Sequence, residues 1–423
     1  MPELSTDHSS ATLEGAHSHG GPRYVSSRAD RPTSFDPADI PVPRGREEEW
    51  RFTPMKRFAP LFDLDTIRAA TAAGEAAAAA GAIRIETDLP DGARLETVPR
   101  SDARIGTVGA PVDRTGITAW NGTETATVLT LESGAQLERA ARLNVVGQDA
   151  QLARPTAQHI LVAAESGAKG TVVLDHTGTA ALTQGVEVTV ADGAELTLVT
   201  VQGWEDAAVH ASNHRVKVSG RGVLKHVVVS LGGDVRICPD LGFSGEGGHI
   251  DAYGVYFTDA GQHQEHRPYV AHTEPHCYSR VTYKGALQGE GAHAVWVGDC
   301  LIGQAARGTD TYELNRNLVL TEGAKADSVP NLEIENGNIE GAGHASATGR
   351  FDDQQLFYLR ARGIPETEAR RLVVLGFFNE IVAEIGVDEV EERLMAAIEK
   401  ELELTGLIAA RTDQDPVAVP AAE

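Results

Sequence analysis

The chain is 423 residues long, and its 37 basic and 61 acidic residues leave a net charge of −24. This acidic balance opposes binding to nucleic acids and to anionic membranes, so we expect neither as a partner. No run reaches the roughly eighteen apolar residues of a membrane span, and the polar N-terminus lacks the apolar core of a signal peptide, which predicts a cytoplasmic protein.

Three cysteines, Cys238, Cys277 and Cys300, are spread over the second half of the chain. They are too few and too scattered for a disulfide framework, and no C-x-x-C spacing offers a preformed metal site. We interpret all three as buried, structural residues. A chain with these thiols would hold a metal cluster only transiently or by sharing ligands with another chain.

The first 40 residues are rich in Ser, Gly, Pro, His and Asp and have almost no apolar periodicity. This composition predicts a disordered tail over residues 1–40. Its histidines are candidate metal ligands, but we favour a solvated tail as the explanation for them: His8, His17 and His19.

Residues 41–104 are predicted to form a helical docking region. The first aromatic residues of the chain, Trp50 and Phe52, lie here and are expected to pack on the main body. The Ala-rich stretch over residues 65–81 favours a helix by propensity.

From residue 105 to 345, Val, Thr, Leu and Ile alternate with polar residues, as in VEVTV (186–190) and ELTLVTV (195–201). This period is typical of short strands. A glycine recurs where these β runs begin, at Gly134, Gly167, Gly193, Gly222, Gly248, Gly291 and Gly323.

The repeated glycines predict a mainly β protein whose core, residues 105–345, is a parallel, right-handed β-helix or similar solenoid. We interpret the long step from Gly248 to Gly291 as coils that carry insertions. An antiparallel sandwich is the alternative fold.

Residues 346–406 are predicted to be helical. Asp352 or Asp353 caps a first helix, Pro365 begins a second, Gly386 ends it and Asp388 caps a third. Residues 407–423 are expected to form a loose tail.

The middle helix has two apolar edges, with Leu372 on one and Val374, Phe377 and Ile381 on the other. Such a helix is either buried against the end of the solenoid or bound by a partner. The pattern leaves both possibilities open.

His344 is flanked by small residues, which leave its imidazole accessible. Neutral imidazole is a good ligand for iron. A structural role is the alternative interpretation of a lone histidine.

A second set of candidate ligands lies within fifteen residues: His263, His266, His272, His276 and Cys277. If residues 269–276 form a strand, alternation places His272 and His276 on one face and Cys277 on the other. This spacing favours a structural coil corner over a zinc or iron site. Arg280 and Lys284 are candidates for binding an anionic sulfur carrier or a flavin phosphate.

Four ordered elements near the C-terminus resemble the signature of the SufB/SufD family, the scaffolds on which iron–sulfur clusters are assembled. They are NLEI (331–334), the lone His344, the GRFDDQ turn (349–354) and LFYLRARG (356–363). The E-x-W-R-x-T segment (48–53) and the H-x-x-P-x-C-x-S-R-x-x-Y-K-G run (272–285) resemble the same family. GHASATG (343–349) lacks the glutamates of the SufB motif E-H-E-A-T-T-S, so the chain is more similar to SufD.

The resemblance implies a complex of a SufB-like chain, this SufD-like chain and two copies of a SufC-type ATPase. It implies that a SufB cysteine faces His344 at a transient iron–sulfur cluster, although Ala342 stands where many SufD chains carry a cysteine. It further implies that the ATPase docks on the C-terminal helices, and their candidate docking residues are Leu372, Val374, Phe377 and Ile381. The resemblance assigns sulfur donors and reduced flavin to the whole complex.

The sequence has no nucleotide-binding G-x-x-x-x-G-K-[ST] loop, no G-x-S-x-G elbow and no H-E-x-x-H helix. We therefore expect a non-catalytic scaffold that binds no nucleotide itself. The alternatives are a solenoid binding module, a carbohydrate-active β-helix protein and a cupin-like metalloenzyme built around residues 263–276.

Overall fold

The computed structural model describes residues 28–76, 81–351 and 353–404. The chain divides into two units, residues 1–31 and 32–423. The described part of the first is a 3-10 turn at Arg28–Asp30. The predictions that lie outside the described residues are those on His8, His17, His19, Asp352 and the tail 407–423.

The alternating runs of the second unit form strands that belong to two sheets. Sheet A comprises β1 (Ile83–Asp88), β4 (Ala141–Gln148), β6 (Lys169–Thr179), β8 (Glu195–Trp204), β10 (Val223–Ser230), β12 (His249–Thr258), β15 (Tyr278–Leu287), β17 (Asp310–Val319) and β19 (Gly341–Arg350). Sheet B comprises β2 (Ala93–Pro99), β3 (Thr125–Leu131), β5 (Thr156–Ala164), β7 (Ala181–Val190), β9 (Val209–Val218), β11 (Asp234–Phe243), β13 (His263–His266), β14 (Tyr269–His272), β16 (His293–Ile302) and β18 (Lys325–Ile334).

Neighbouring strands of each sheet come from successive coils of the chain. In sheet A, Glu195 of β8 pairs with Val223 of β10, which pairs with His249 of β12, and all these pairings are parallel. Sheet B stacks in the same way from β3 to β18. The prediction of a mainly β, parallel solenoid is confirmed, and the antiparallel sandwich is excluded.

Glycines make the corners of the coils. Gly193, with φ +71°, turns the chain into β8 of sheet A, and Gly291, with φ +75°, turns it into β16 of sheet B. Positive φ is a conformation that glycine adopts without steric cost. Gly248 and Gly291 therefore lie at different corners of the coil, which explains the long step between them. The interpretation of this step as coils that carry insertions was wrong.

Sheet B contains one interrupted strand, where β13 and β14 together occupy a single position between β11 and β16. Pro268 lies in the break between them. Because proline has no backbone N–H to donate to the ladder, a strand is weakened at this point.

The two ends of the solenoid differ. At the N-terminal end, β1 pairs antiparallel with β4 and β2 pairs antiparallel with β3. At the other end β19 pairs with β17 and β18 with β16, and no further described strand continues either sheet. The outer edges of β18 and β19 are therefore unpaired among the described strands, and the inward-facing side chains of this last coil are not covered by another described coil.

The interior of the solenoid is apolar along most of its length but also contains buried, hydrogen-bonded imidazoles. His214 contacts Ser212 and His226 at 2.9 Å through its two ring nitrogens. Burial lowers the pKa of His176 and His226 to about 4 and that of His266 and His272 to about 3. These histidines are therefore neutral in the folded protein.

Six helices accompany the solenoid in the described residues. They are α1 (Met55–Phe58), α2 (Leu64–Ala76), α3 (Arg114–Asn121), α4 (Asp353–Ala361), α5 (Glu366–Val382) and α6 (Asp388–Leu404). Pro365 precedes α5, and Gly386, with φ +70°, lies between α5 and α6 as the sequence predicts.

Helices α5 and α6 cover the outer face of sheet A and not the end of the solenoid, which the sequence offered as the alternative to binding by a partner. Val374, Phe378 and Ile381 of α5 pack against outward-facing residues of sheet A such as Val227 and Val255. Strands that are covered on both faces need apolar residues at successive positions, as in the Val227–Val229 run.

A buried ionic group holds the N-terminal region on sheet B. The Arg236 guanidinium is fully buried and bonds to Asp113, the N-cap of α3, and to Glu49 at 2.6 Å. It also lies 4.1 Å from the centre of the Trp50 ring. Trp50 is buried on the main body as predicted, whereas Phe52 is only half-buried.

Part of the predicted tail packs on the body of the second unit. Ile40 is buried, and the Phe35 ring lies 4.5 Å from that of Trp120. At the other boundary, β19 carries the β core to Arg350, beyond residue 345. Strands β1 and β2 lie within residues 41–104, where the sequence predicts a helical region. The remaining segment boundaries stay predictions.

We predict that acidification from pH 7.5 to 5.5 destabilises the protein. The unfolded chain protonates its histidines near pH 6.5, whereas the buried ones stay neutral to about pH 4 or below. The unfolded state then binds more protons, so stability is complete above pH 6.5 and falls below it by up to about 1.4 kcal/mol per pH unit per histidine. Thermal unfolding midpoints at constant ionic strength measure this slope.

The variant His226→Asn should show a shallower slope. The matched control is His249→Asn, because His249 lies in the partly exposed outer face of sheet A, and it should keep the wild-type slope. A midpoint that does not change with pH, or that rises on acidification, would contradict the neutral state of the buried histidines.

Candidate functional site

His344 lies at the open end of the solenoid. It sits in β19 opposite Glu313 of β17, which in turn pairs with Val281 of β15. Side chains at paired positions share one face of a sheet, and Glu313 and Val281 are buried in the interior. His344 therefore faces the interior as well, and it is exposed because no further coil of the described residues covers it.

The carboxyl group of Glu313 lies one strand below His344, and its residue is 1% exposed. Across the coil, Gly298 of β16 leaves room for it, since a Cβ at this position would be 3.1 Å from Glu313 Oε2 and 2.2 Å from the Trp296 ring. A carboxylate beneath an imidazole is a common way to orient a ligating histidine. Glu313 could not be predicted from the sequence, because only the strand register pairs it with His344.

Polar side chains fill the last coils around this position. Asn315 donates to Tyr256 Oη at 3.0 Å, and Ser328 donates to Asn315 Oδ1 at 2.7 Å. Asn317 donates to Thr348 of the last strand at 3.3 Å. This network links β12, β17, β18 and β19 by hydrogen bonds. The interior just below the open end is therefore lined by hydrogen-bonded polar side chains.

Deeper in the coil, Cys300 lies in a hydrogen-bonded row with Thr311, Ser279 and His272. The Cys300 thiol is 3.5 Å from Thr311, which is 2.7 Å from Ser279, and Ser279 is 2.8 Å from His272 Nε2. Burial and the nearby Glu313 carboxylate raise the pKa of Cys300 to about 12. This thiol is therefore protonated and is not a ready metal ligand.

The candidate ligands around Cys277 do not converge. His272 ends β14 and points into the interior, whereas His276 lies in the following turn with φ +54° and a half-exposed side chain. Cys277 is buried in the apolar core. The expected strand over residues 269–276 ends at His272, so placing His272 and His276 on one face by alternation was wrong.

Arg280 and Lys284 both serve contacts within the chain. Arg280 pairs with Asp310 at 2.9 Å. Lys284 is buried beneath α5, where it bonds to Glu380 and donates to the carbonyl oxygen of Phe377 at 3.2 Å. Lys284 thus anchors α5 to the solenoid.

The four candidate docking residues of α5 do not share one surface. Val374 and Ile381 are buried against sheet A and Phe377 is half-buried, whereas Leu372 is 41% exposed. The neighbouring α4 adds Phe357, 74% exposed, and Tyr358, 58% exposed. These three exposed residues lie on two consecutive helices, and we call Phe357, Tyr358 and Leu372 the α4–α5 apolar patch. Its two α4 residues were not among the docking residues predicted from the sequence.

A group of potential metal ligands occurs where the Arg236 guanidinium binds. Glu49, Asp113 and Cys238 offer ligand atoms within 4.8 Å of one another. Arg236 bonds to all three. A buried cation already neutralises this site, and burial raises the pKa of the Cys238 thiol to about 12.

None of the helices in the described ranges is both long and apolar enough to cross a membrane.

Comparison with known proteins identifies the family. The model of the SUF system FeS cluster assembly, SufBD core domain, matches residues 145–377. An iron–sulfur cluster assembly SufBD family protein of Mycobacterium tuberculosis is 49% identical over 379 residues, 88% of this chain and 92% of that protein. A Mycobacterium leprae member is 46% identical over 379 residues, 88% of this chain and 93% of its own length. The iron–sulfur cluster assembly protein SufD of Bacillus subtilis is 28% identical over 251 residues, 58% of this chain and 57% of that protein.

We predict that the native protein reacts slowly with a thiol reagent. All three cysteines are free and buried, and burial raises the pKa of each thiol. Because the thiolate is the reactive form, colorimetric labelling should reach three thiols only after denaturation.

The control for this measurement is Ser346→Cys, which introduces a thiol at the exposed end of the solenoid. It should label one additional thiol rapidly in the folded state. Rapid labelling of the unmodified chain would show that at least one of the native thiols is accessible.

Proposed function

This chain belongs to the SufBD family of iron–sulfur cluster assembly proteins, and we propose that it is the SufD-like subunit of an assembly complex. In this proposal it is a non-catalytic scaffold in the cytoplasm that pairs with a SufB-like chain and docks a SufC-type ATPase. The similarity to SufD of Bacillus subtilis and the GHASATG sequence around His344 support the SufD-like assignment.

The open last coil is the observation that carries the proposal. Strands β18 and β19 expose backbone N–H and C=O groups along their outer edges, and such edges invite pairing with another chain. The inward face of β19 is also uncovered, and it carries His344. A SufB-like solenoid that abuts this end would cover both.

His344 is then a ligand at the interface between the two chains. Its imidazole is exposed, faces the interior of the solenoid end and lies above the Glu313 carboxyl group. The iron–sulfur cluster is the cargo of this site, and the remaining ligands come from the partner, since the cysteines of this chain are buried. Sulfur donors and reduced flavin act on the whole complex.

The α4–α5 apolar patch is the proposed docking surface for the ATPase. Phe357, Tyr358 and Leu372 are large apolar residues in solvent, and exposed patches of this kind mark interaction sites. The patch is joined to the cluster site through a short stretch of chain, because α4 begins directly after β19. A force applied to these helices would reach the strand that bears His344.

We predict that His344→Ala abolishes cluster loading without preventing complex formation. The His344 side chain contributes a ligand but no backbone pairing. Light scattering should therefore show a one-one-two complex with the SufB-like and SufC-type proteins for the native chain and for the His344→Ala variant alike. Anaerobic reconstitution, followed by iron and sulfide analysis, measures loading.

The variant Glu313→Gln should assemble as well but load at least about tenfold less cluster, the usual effect of removing a carboxylate that orients a ligand. If His344→Ala loads as much cluster as the native chain, His344 is not at the assembly site. If the native chain joins no complex, the scaffold assignment fails.

We predict that Leu372→Asp and Phe357→Asp weaken binding of the SufC-type ATPase at least tenfold while the thermal midpoint stays within a few degrees of wild type. Both side chains are exposed, so a charge there disturbs a partner and not the core. Binding is measured by calorimetry with the purified ATPase.

The matched variant is Ile381→Ala, which removes a buried contact between α5 and sheet A. It should destabilise the protein by about 2–5 kcal/mol. Unchanged ATPase affinity in both patch variants would rule out this docking surface.

A further inference from the structure

Two histidines face each other on the outer face of sheet B. His263 begins β13 and His293 begins β16, and the two residues are paired in the strand register. Their Nδ1 atoms are 3.2 Å apart. The sequence grouped His263 with His266 and His272, whereas the fold turns those two residues into the interior.

A carboxylate holds the other nitrogen of each ring. His263 Nε2 lies 3.1 Å from Glu265 Oε2, and His293 Nε2 lies 2.8 Å from Asp327 Oδ2. A carboxylate accepts a hydrogen bond, so each Nε2 carries the proton and each Nδ1 presents a lone pair in the neutral imidazole. Two lone pairs at this distance repel each other unless a cation lies between them.

We propose that His263 and His293 form a binding site for a divalent transition-metal ion of the zinc or ferrous type. With the usual metal–nitrogen distances of 2.0–2.1 Å, the separation of the Nδ1 atoms corresponds to an angle of about 100° at the metal, close to tetrahedral. The carboxylate–histidine pairs on both sides are the arrangement that orients metal-binding imidazoles. Solvent or a ligand from another molecule would complete the coordination.

The surroundings give the site a closed and an open side. The His263 side chain is 3% exposed and forms a T-shaped contact with the Phe58 ring, whereas the His293 side chain is 23% exposed. A metal ion would therefore enter beside His293. The Lys325 ammonium, on a side chain that is 64% exposed, contacts the same oxygen, Asp327 Oδ2, at 2.6 Å, so this carboxylate is shared between Lys325 and His293.

The chain contains a natural comparison for this arrangement. His249 Nε2 lies 3.0 Å from Asp251 Oδ2, on the outer face of sheet A. Its ring stacks on Tyr278 and has no second imidazole opposite. It reproduces one half of the proposed site and serves as the matched control.

Metal binding does not depend on the proposed scaffold role, and it is tested on the full chain alone. The protein carries His8→Ala, His17→Ala and His19→Ala, which remove the histidines of the N-terminal segment, and is freed of metal with a chelator. Titration with Co²⁺, followed by visible absorption, should show one equivalent with an intense four-coordinate spectrum.

His293→Asn should lose this equivalent and its spectrum, whereas His249→Asn should keep both. Asp327→Asn should weaken binding at least about tenfold. Thermal midpoints near that of the parent chain would show that the variants are folded. The proposal is overturned if the parent chain binds no such equivalent, or if His293→Asn binds it with the same affinity. In either case, the Nδ1 atoms of His263 and His293 would be joined by a shared proton and not by a metal ion.

Discussion

A coil of a parallel solenoid can bury its inward side chains only beneath the next coil. Each strand of sheets A and B depends on this rule, since pairing and burial both come from the neighbouring coil. At the N-terminal end, the antiparallel strands β1 and β2 pair with β4 and β3 and so cover the first coil. At the described C-terminal end no further coil covers β18 and β19, because the helices that follow them pack on the outer face of sheet A. The position of His344 is a direct consequence.

The outer face of sheet A explains where those helices go. Its valines form an apolar surface that α5 and α6 cover, and Lys284 and Arg393 add ionic contacts to Glu380 and Asp175. The helices therefore flank the solenoid and leave its end free. In the proposed assembly, one end of the chain meets a SufB-like partner while its flank presents the α4–α5 apolar patch to an ATPase.

Local pattern predicted what depends on local chemistry. Alternation of apolar residues and turn glycines indicated the solenoid, and Pro365 and Asp388 indicated where α5 and α6 begin. The periodicity of α5 showed two apolar edges but not what covers them. Val374 and Ile381 therefore entered the list of docking residues although the fold buries both.

Contacts between residues of different coils could not be predicted from the sequence, for a different reason. Glu313 is paired with His344, and His263 with His293, because chain segments about one coil apart come into register. That register depends on the length of every corner between them. The Gly248 to Gly291 step shows the difficulty, since two different corners of the coil have similar glycine turns.

The central claim is that the uncovered last coil is the surface that meets the SufB-like chain. Hydrogen exchange of the backbone amides, measured by mass spectrometry with and without that partner, tests it most directly. We predict that protection increases in residues 325–334 and 341–350, the two edge strands, while protection of the outer face of sheet B is unchanged. Unaltered exchange in both edge strands when the partner is bound would contradict it.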